Sequence, residues 1–124
     1  MARILAVDDE EDIRSLLEMQ VSGAGHEVLL AGDGAEALQQ VETQHPDLVL
    51  LDVAMPVMDG LQMLEKLRAE PATRDLPVIA VSGRLDVRTV ERLRALGVRI
   101  LVRKPHSNGE LQDRIREALT SVAS

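Results

Sequence analysis

The sequence predicts an α/β protein in which helices cover both faces of a doubly wound, five-stranded parallel sheet. Five short apolar runs rich in Val, Ile and Leu alternate with segments of helical spacing, and strands buried on both faces have this composition. Strict alternation with short crossovers favours parallel strands. A closed eight-stranded barrel needs about 250 residues, and the chain has 124. We therefore expect one domain over residues 1–124.

The apolar runs predict where the strands lie. They cover residues 4–7, 28–30, 48–51, 78–81 and 100–102. Each segment that follows a run carries apolar residues three or four positions apart, which predicts one helix apiece, five in all. Two helices have a capping sequence, because Asp33 and Ser107 each precede a glutamate by three residues. Gly23, Gly25 and Gly97 lie where helices are expected to end.

Composition excludes several functions. The chain has no cysteine, which rules out disulfides, thiolate metal sites and cysteine nucleophiles. It has no aromatic residue to stack on nucleic-acid bases, and its net charge of −7 argues against direct nucleic-acid binding. No apolar run approaches the roughly 20 residues that span a bilayer, and the acidic residues 8–12 are unlike a signal peptide. We expect a cytoplasmic protein without membrane or nucleic-acid contacts.

Polar side chains follow four of the apolar runs, at the strand ends where open parallel sheets bind ligands. Asp8 and Asp9 follow the first run, Asp52 the third, Ser82 the fourth and Lys104 the fifth. Each alone has an ordinary explanation as a helix cap or a solvated strand end. Together they would bring three carboxylates, a hydroxyl and an ammonium to one edge. Gathered carboxylates repel one another unless a cation compensates, and oxygen ligands favour Mg²⁺.

The chemistry expected at such an edge is phosphoryl transfer to a carboxylate. Mg²⁺ neutralises charge that develops on an incoming phosphoryl group. Ser82 and Lys104 would contact the phosphoryl oxygens, and one of the gathered carboxylates would be the nucleophile. The product is an aspartyl phosphate, a reactive acyl phosphate suited to a reversible mark. The pattern therefore favours signalling over metabolism.

Four segments resemble motifs of response-regulator receiver domains, and the resemblance covers nearly the whole chain. They are Val-Asp-Asp-Glu over residues 7–10, Asp-Val-Ala-Met-Pro-Val-Met-Asp-Gly over 52–60, Ala-Val-Ser-Gly over 80–83 and Arg-Lys-Pro over 103–105. The second string is highly specific when it follows an apolar strand. The resemblance implies a flavodoxin-like sheet with strand order 2-1-3-4-5.

The resemblance also implies roles for the site residues. Asp52 is the phosphoacceptor, Mg²⁺ is held by Asp9, Asp52 and the backbone carbonyl of Ala54, and Asp8 orients water on the metal. The bond between Lys104 and Pro105 is expected to be cis. The partners implied are a sensor histidine kinase or phosphotransfer protein upstream, and an effector protein or a linked output domain downstream.

Two residues depart from the family pattern. Family members usually carry Tyr or Phe three residues before the Lys and often Phe after Lys-Pro, whereas this chain has Leu101 and His106. In the family, the hydroxyl at the position of Ser82 moves toward the phosphoryl group and the aromatic side chain turns inward behind it. Leu101 cannot report that movement in the same manner. We expect His106 to be exposed and without a role.

Two alternatives stay open beside the receiver function. A phosphorylation-independent binding module is consistent with the missing aromatic residues. A phosphatase with an aspartate nucleophile shares the chemistry, but phosphatases of the haloacid-dehalogenase type usually carry a second Asp two residues on, where this chain has Ala54. We therefore expect no enzymatic turnover beyond the protein's own phosphorylation and dephosphorylation.

A basic stripe is predicted on the fourth helix. Arg84, Arg88 and Arg92 recur every four residues, so they would share one helix face. Such a face would suit docking of an acidic partner. We favour the simpler interpretation of a solvated helix face that Asp86 and Glu91 partly neutralise.

Overall fold

The structure, a computed structural model, describes residues 2–53, 60–83 and 85–123. Strands and helices alternate along these residues, as predicted. The strands are β1 (Arg3–Val7), β2 (Glu27–Ala31), β3 (Leu48–Leu51), β4 (Val78–Ser82) and β5 (Ile100–Arg103). The helices are α1 (Glu11–Gly23), α2 (Gly34–Gln44), α3 (Gly60–Ala69), α4 (Val87–Ala95) and α5 (Asn108–Ala123). Each predicted strand lies within an observed one.

All five strands are parallel and form one sheet in the order β2-β1-β3-β4-β5, which confirms the predicted fold class and strand order. The register aligns the carboxyl ends of the inner strands. Val7 at the end of β1 pairs with both Ala31 and Leu51. The residues that follow β1 and β3 are therefore neighbours, and Asp52 N donates to the Val7 carbonyl over 3.0 Å.

The core has two parts, one on each face of the sheet, because successive strand residues point to opposite faces. Leu5 and Val7 belong to a cluster that is completed by α2, α3 and α4. Ile4 and Ala6 belong to a second cluster that is completed by α1 and α5. With no aromatic residue in the chain, aliphatic side chains fill both parts, and Met63 joins them on the side of α2, α3 and α4.

The predicted helix boundaries are also observed. Asp33 Oδ1 accepts a hydrogen bond from Glu36 N over 2.8 Å, and Ser107 Oγ accepts one from Glu110 N over 3.0 Å. Gly25 (φ 90°) and Gly97 (φ 83°) lie beyond the ends of α1 and α4 in the left-handed region that favours glycine. In the described part of the chain, no helix is long and apolar enough to cross a bilayer.

Candidate functional site

The acidic residues of the candidate site follow β1 and β3. Asp8 and Asp52 are buried, with 1% and 6% of their surfaces exposed, while Asp9 and Glu10 are exposed. The carboxylate oxygens of Asp8, Asp9 and Glu10 lie within 4.8 Å of one another. Sequence analysis predicted the first two as part of a metal site and did not single out Glu10. The turn after β1 thus presents a dense group of carboxylate oxygens.

Lys104 joins this acidic group from β5. Its Nζ lies 2.5 Å from Asp8 Oδ2 and 3.3 Å from Asp52 Oδ2. Burial lowers the pKa of the Lys104 ammonium, but the hydrogen bonds and negative charges of Asp8 and Asp52 outweigh burial and raise it above its usual value. Lys104 is therefore protonated at neutral pH and supplies the positive charge that two buried carboxylates require.

Ser82 ends β4 beside Lys104. It is 1% exposed, and its backbone carbonyl accepts a hydrogen bond from Lys104 N over 3.0 Å. The peptide bond between Lys104 and Pro105 is cis, as expected. The structure thus gathers Asp8, Asp52, Ser82 and Lys104 at the carboxyl edge of the sheet. Ala54, whose carbonyl is predicted to bind Mg²⁺, lies outside the described residues.

Gly60 shows why the segment after Asp52 ends in glycine. A Cβ atom at Gly60 would lie 2.5 Å from both the Asp52 carbonyl oxygen and Val53 Cα. Real Cβ atoms do not approach backbone so closely, so any side chain here would push α3 away from the end of β3. Gly60 N also donates to the Val53 carbonyl over 3.3 Å. The glycine of the motif therefore has a steric role that sequence analysis did not identify.

His106 is not exposed, which corrects the expectation drawn from the sequence. It is half-buried in the loop between β5 and α5, and its Nε2 lies 3.1 Å from Gln20 Oε1 on α1. Its Nδ1 is buried with no hydrogen-bond partner among the described residues. Burial lowers the pKa of His106, and the charge of Lys104 acts in the same direction, while Glu110 opposes both.

Two sequence features remain, the leucine at position 101 and the basic stripe predicted on the fourth helix. Leu101 is partly buried and packs against the core cluster on the α2, α3 and α4 side of the sheet. Arg92 of the predicted stripe pairs with Glu65 of α3, with 2.7 Å between Nη2 and Oε1. Arg88 is exposed, and Arg84 lies outside the described residues. The exposure of Arg88 agrees with the favoured interpretation of a solvated helix face, and the docking role remains an untested alternative.

A parallel sheet of order 2-1-3-4-5 that gathers acidic groups, a serine and a lysine at one edge defines a class of signalling domain. The sequence matches the family model described as response regulator receiver domain over residues 4–116. The chain therefore belongs to the response regulator receiver domain family.

Individual relatives agree with this assignment. The probable transcriptional regulator ycf27 of Cyanophora paradoxa is 44% identical over 117 residues, which are 94% of this chain and 48% of the relative. The alkaline phosphatase synthesis transcriptional regulatory protein PhoP of Bacillus subtilis is 34% identical over 117 residues, again 94% of this chain and 48% of the relative. The chain thus spans about half the length of these curated relatives.

Solved structures show the same fold. The chemotaxis protein CheY4 of Vibrio cholerae is 29% identical, with a TM-score of 0.91, and the match covers 96% of this chain and 99% of that chain. NtrX of Brucella abortus, in a structure with ATP, is 33% identical with a TM-score of 0.88, and the match covers 97% of this chain and 27% of that chain. The fold thus occurs both as nearly a whole chain and as part of a longer one.

Proposed function

We propose that this chain is a phosphoacceptor receiver in which Asp52 takes a phosphoryl group in a Mg²⁺-dependent reaction. The contact that carries the proposal is the ammonium of Lys104 between two buried carboxylates, 2.5 Å from Asp8 and 3.3 Å from Asp52. Burying two carboxylates side by side costs free energy, and a protein with apolar residues at the same strand ends would be at least as stable. Such an arrangement of buried ionisable groups is typical of a functional site.

The residues present fit a magnesium ion. Carboxylates are the hard oxygen ligands that Mg²⁺ prefers. Those of Asp8, Asp9 and Glu10 lie within 4.8 Å of one another, and the Asp52 carboxylate shares the Lys104 ammonium with Asp8. We propose that Asp9, Asp52 and the carbonyl of Ala54 hold the ion and that Asp8 orients water bound to it. When bound, Mg²⁺ supplies positive charge that offsets the negative charge on the phosphoryl oxygens.

The protein's own residues perform the transfer in this proposal. A carboxylate oxygen of Asp52 attacks phosphorus, the new oxygen–phosphorus bond forms, and the bond from phosphorus to the imidazole nitrogen of a phosphohistidine breaks. The imidazole leaves with the bonding electron pair and takes a proton from solvent. Lys104 already contacts Asp52, so its ammonium meets one phosphoryl oxygen without a large movement, and the Ser82 hydroxyl donates to another.

The proposal also covers partners and location. A sensor histidine kinase or a phosphotransfer protein would donate the phosphoryl group in the cytoplasm. The phosphorylated edge would then switch a surface that binds an effector protein or a linked output domain. The names of the relatives as transcriptional regulators, and their roughly doubled length, support an output of this kind. We propose no turnover beyond self-phosphorylation and dephosphorylation.

The test is the intact mass of the protein after incubation with acetyl phosphate, with and without Mg²⁺. We expect a Mg²⁺-dependent gain of one phosphoryl group in the natural sequence and in the control Asp75→Asn, which changes an exposed aspartate. Asp52→Asn should show no gain. A folded natural protein that gains nothing would favour the phosphorylation-independent binding module. A gain that persists in Asp52→Asn would place the phosphoacceptor elsewhere.

A further inference from the structure

Arg14 lies in the first turn of α1, which begins directly after the acidic residues that follow β1. It is half-buried, and its Nη1 donates a hydrogen bond to the Asp8 carbonyl oxygen over 2.8 Å. The backbone N of Arg14 also donates to the Glu10 carbonyl over 3.0 Å. Arg14 therefore contacts the backbone at both ends of the turn formed by Asp8, Asp9 and Glu10. Nothing in the phosphoryl-transfer chemistry proposed above uses this residue.

Gly32, in the turn between β2 and α2, makes room for the Arg14 guanidinium. A Cβ atom at Gly32 would lie 3.2 Å from Arg14 Nη1 and 3.7 Å from Arg14 Cζ. The φ angle of Gly32 is not in the left-handed region, so backbone conformation does not require glycine here. A Cβ atom at 3.2 Å is tighter than ordinary van der Waals contact, so the Arg14 guanidinium would have to shift by a few tenths of an ångström to admit a side chain here.

Asp8 is consequently held from several sides. Its backbone N donates to the Ala31 carbonyl over 3.1 Å, while its own carbonyl accepts from Arg14. Its Oδ1 accepts from Glu10 N over 3.0 Å, and its Oδ2 accepts from Lys104. Removal of the Arg14 side chain would leave the Asp8 carbonyl without this donor, while the backbone bond from Arg14 N to the Glu10 carbonyl would remain.

We propose that Arg14 is a positioning residue for the magnesium site and that Gly32 leaves the space it needs. The inference rests on the proposed function, because the acidic turn is the proposed metal site. Arg14 acts through the Asp8 carbonyl, to which its Nη1 donates while the same nitrogen lies against Gly32. The compact ammonium of a lysine does not reproduce the shape of the planar guanidinium. Groups that orient metal ligands typically contribute about 10- to 100-fold to metal affinity.

The sign of the effect separates positioning from simple electrostatics. A nearby positive charge repels Mg²⁺, so loss of Arg14 would tighten Mg²⁺ binding if its charge were all that mattered. Loss of positioning weakens binding instead. A role in stability alone would lower the free energy of unfolding and leave the Mg²⁺ dissociation constant unchanged.

The experiment is an NMR titration of backbone amides with MgCl₂, which measures Mg²⁺ affinity without any phosphodonor. We expect Arg14→Met to weaken binding about tenfold, with Arg14→Lys weaker than the natural protein despite its retained charge. Gly32→Ala, which displaces the guanidinium without changing charge, should also weaken binding. Gly23→Ala is the matched control, because a Cβ atom at Gly23 would meet no described atom within 4 Å beyond its chain neighbours and the backbone of its own helix.

The double variant Arg14→Met with Gly32→Ala should bind Mg²⁺ no more weakly than Arg14→Met alone, since both changes act through one guanidinium. Unchanged or tighter binding in Arg14→Met would overturn the inference and leave the proposed function standing. If Arg14→Met does not fold, Arg14→Lys and Gly32→Ala decide the matter by the same criterion. A natural protein that shows no Mg²⁺-induced shifts would overturn the proposed metal site and this inference together.

Discussion

At the scale of single residues, Lys104 carries the charge balance of the site. Asp8 and Asp52 are buried at adjacent strand ends, and the ammonium contacts both of them. Removing one partner of a buried ion pair leaves an uncompensated charge, which costs more than the pair itself contributes. In the proposed function the same ammonium meets a phosphoryl oxygen, so the proposal makes both stability and chemistry depend on one side chain.

Lys104→Met should destabilise the Mg²⁺-free protein by about 2–3 kcal/mol at neutral pH, a figure reduced for the partial exposure of Lys104. The folded-state pKa of Lys104 is raised, so its contribution is fully present below the unfolded pKa of about 10.5. It is lost as the pH rises through the higher folded value. Urea unfolding across this pH range measures both effects. Lys66→Met, which changes an exposed lysine on α3, is the control and should change stability little.

His106 should make folding sensitive to mild acid. Its folded-state pKa lies below the usual 6.5, so the folded protein binds fewer protons here than the unfolded chain does. Stability should therefore fall as the pH drops from about 6.5 toward the lower folded value. His106→Gln keeps a polar group near Gln20, and its free energy of unfolding should fall less steeply between about pH 7 and 5 than that of the natural protein. Equal slopes in the two proteins, or an imidazole that NMR shows to titrate above 6.5, would contradict this prediction.

At the scale of elements, α4 is the least embedded of the helices whose side chains are described throughout. Leu93 is its one buried residue, and much of its surface is charged. Arg68 on α3 compensates by holding the end of α4: its Nε donates to the Leu96 carbonyl over 2.7 Å. Its Nη1 donates to the carbonyls of Leu76 over 2.8 Å and Arg74 over 3.0 Å. One side chain thus ties together α3, the loop before β4 and the end of α4.

Arg68→Met should lower the free energy of unfolding by about 2–3 kcal/mol, because hydrogen bonds from a charged donor to half-buried carbonyls are lost together. Amide hydrogen exchange should accelerate most in α4 and in the loop before β4, and least in β1. The control is Arg74→Met, since Arg74 is exposed and only its backbone carbonyl takes part in these bonds. Uniform acceleration throughout the sheet would show that Arg68 does not act locally.

The elements were predictable from local sequence, whereas several contacts were not. Apolar runs and capping residues act within a few positions, and strict alternation brings Asp8, Asp52 and Lys104 to one edge. The strand order and the cis bond came from the family resemblance. The bond between His106 and Gln20 joins residues 86 positions apart, and the fit of Arg14 onto Gly32 depends on side-chain direction. No local periodicity encodes such contacts, so the structure was needed to find them.

At the scale of the whole molecule, the site exists only when the sheet has formed. Asp8 follows β1, Asp52 follows β3, Ser82 ends β4 and Lys104 follows β5. Core clusters on opposite faces share these strands, since Leu5 and Ile4 of β1 belong to different clusters. Disrupting either cluster moves strands that carry site residues. We therefore regard the core and the site as one cooperative unit.

Mg²⁺ should consequently stabilise the whole molecule. An ion that binds only the folded state adds about 2.7 kcal/mol when its concentration is a hundred times its dissociation constant. Asp9→Asn should have opposite effects without and with Mg²⁺. Without Mg²⁺ its free energy of unfolding should rise by on the order of 0.5 kcal/mol, because one of three crowded carboxylates is neutralised. The additional stabilisation by Mg²⁺ should be largely lost. Thermal unfolding with MgCl₂ or EDTA measures both quantities, and Asp75→Asn is the control. If Mg²⁺ stabilised Asp9→Asn as much as the natural protein, Asp9 would not be a ligand. If metal-free Asp9→Asn were less stable than the metal-free natural protein, attraction between Asp9 and the nearby cationic side chains would outweigh the repulsion among the three carboxylates.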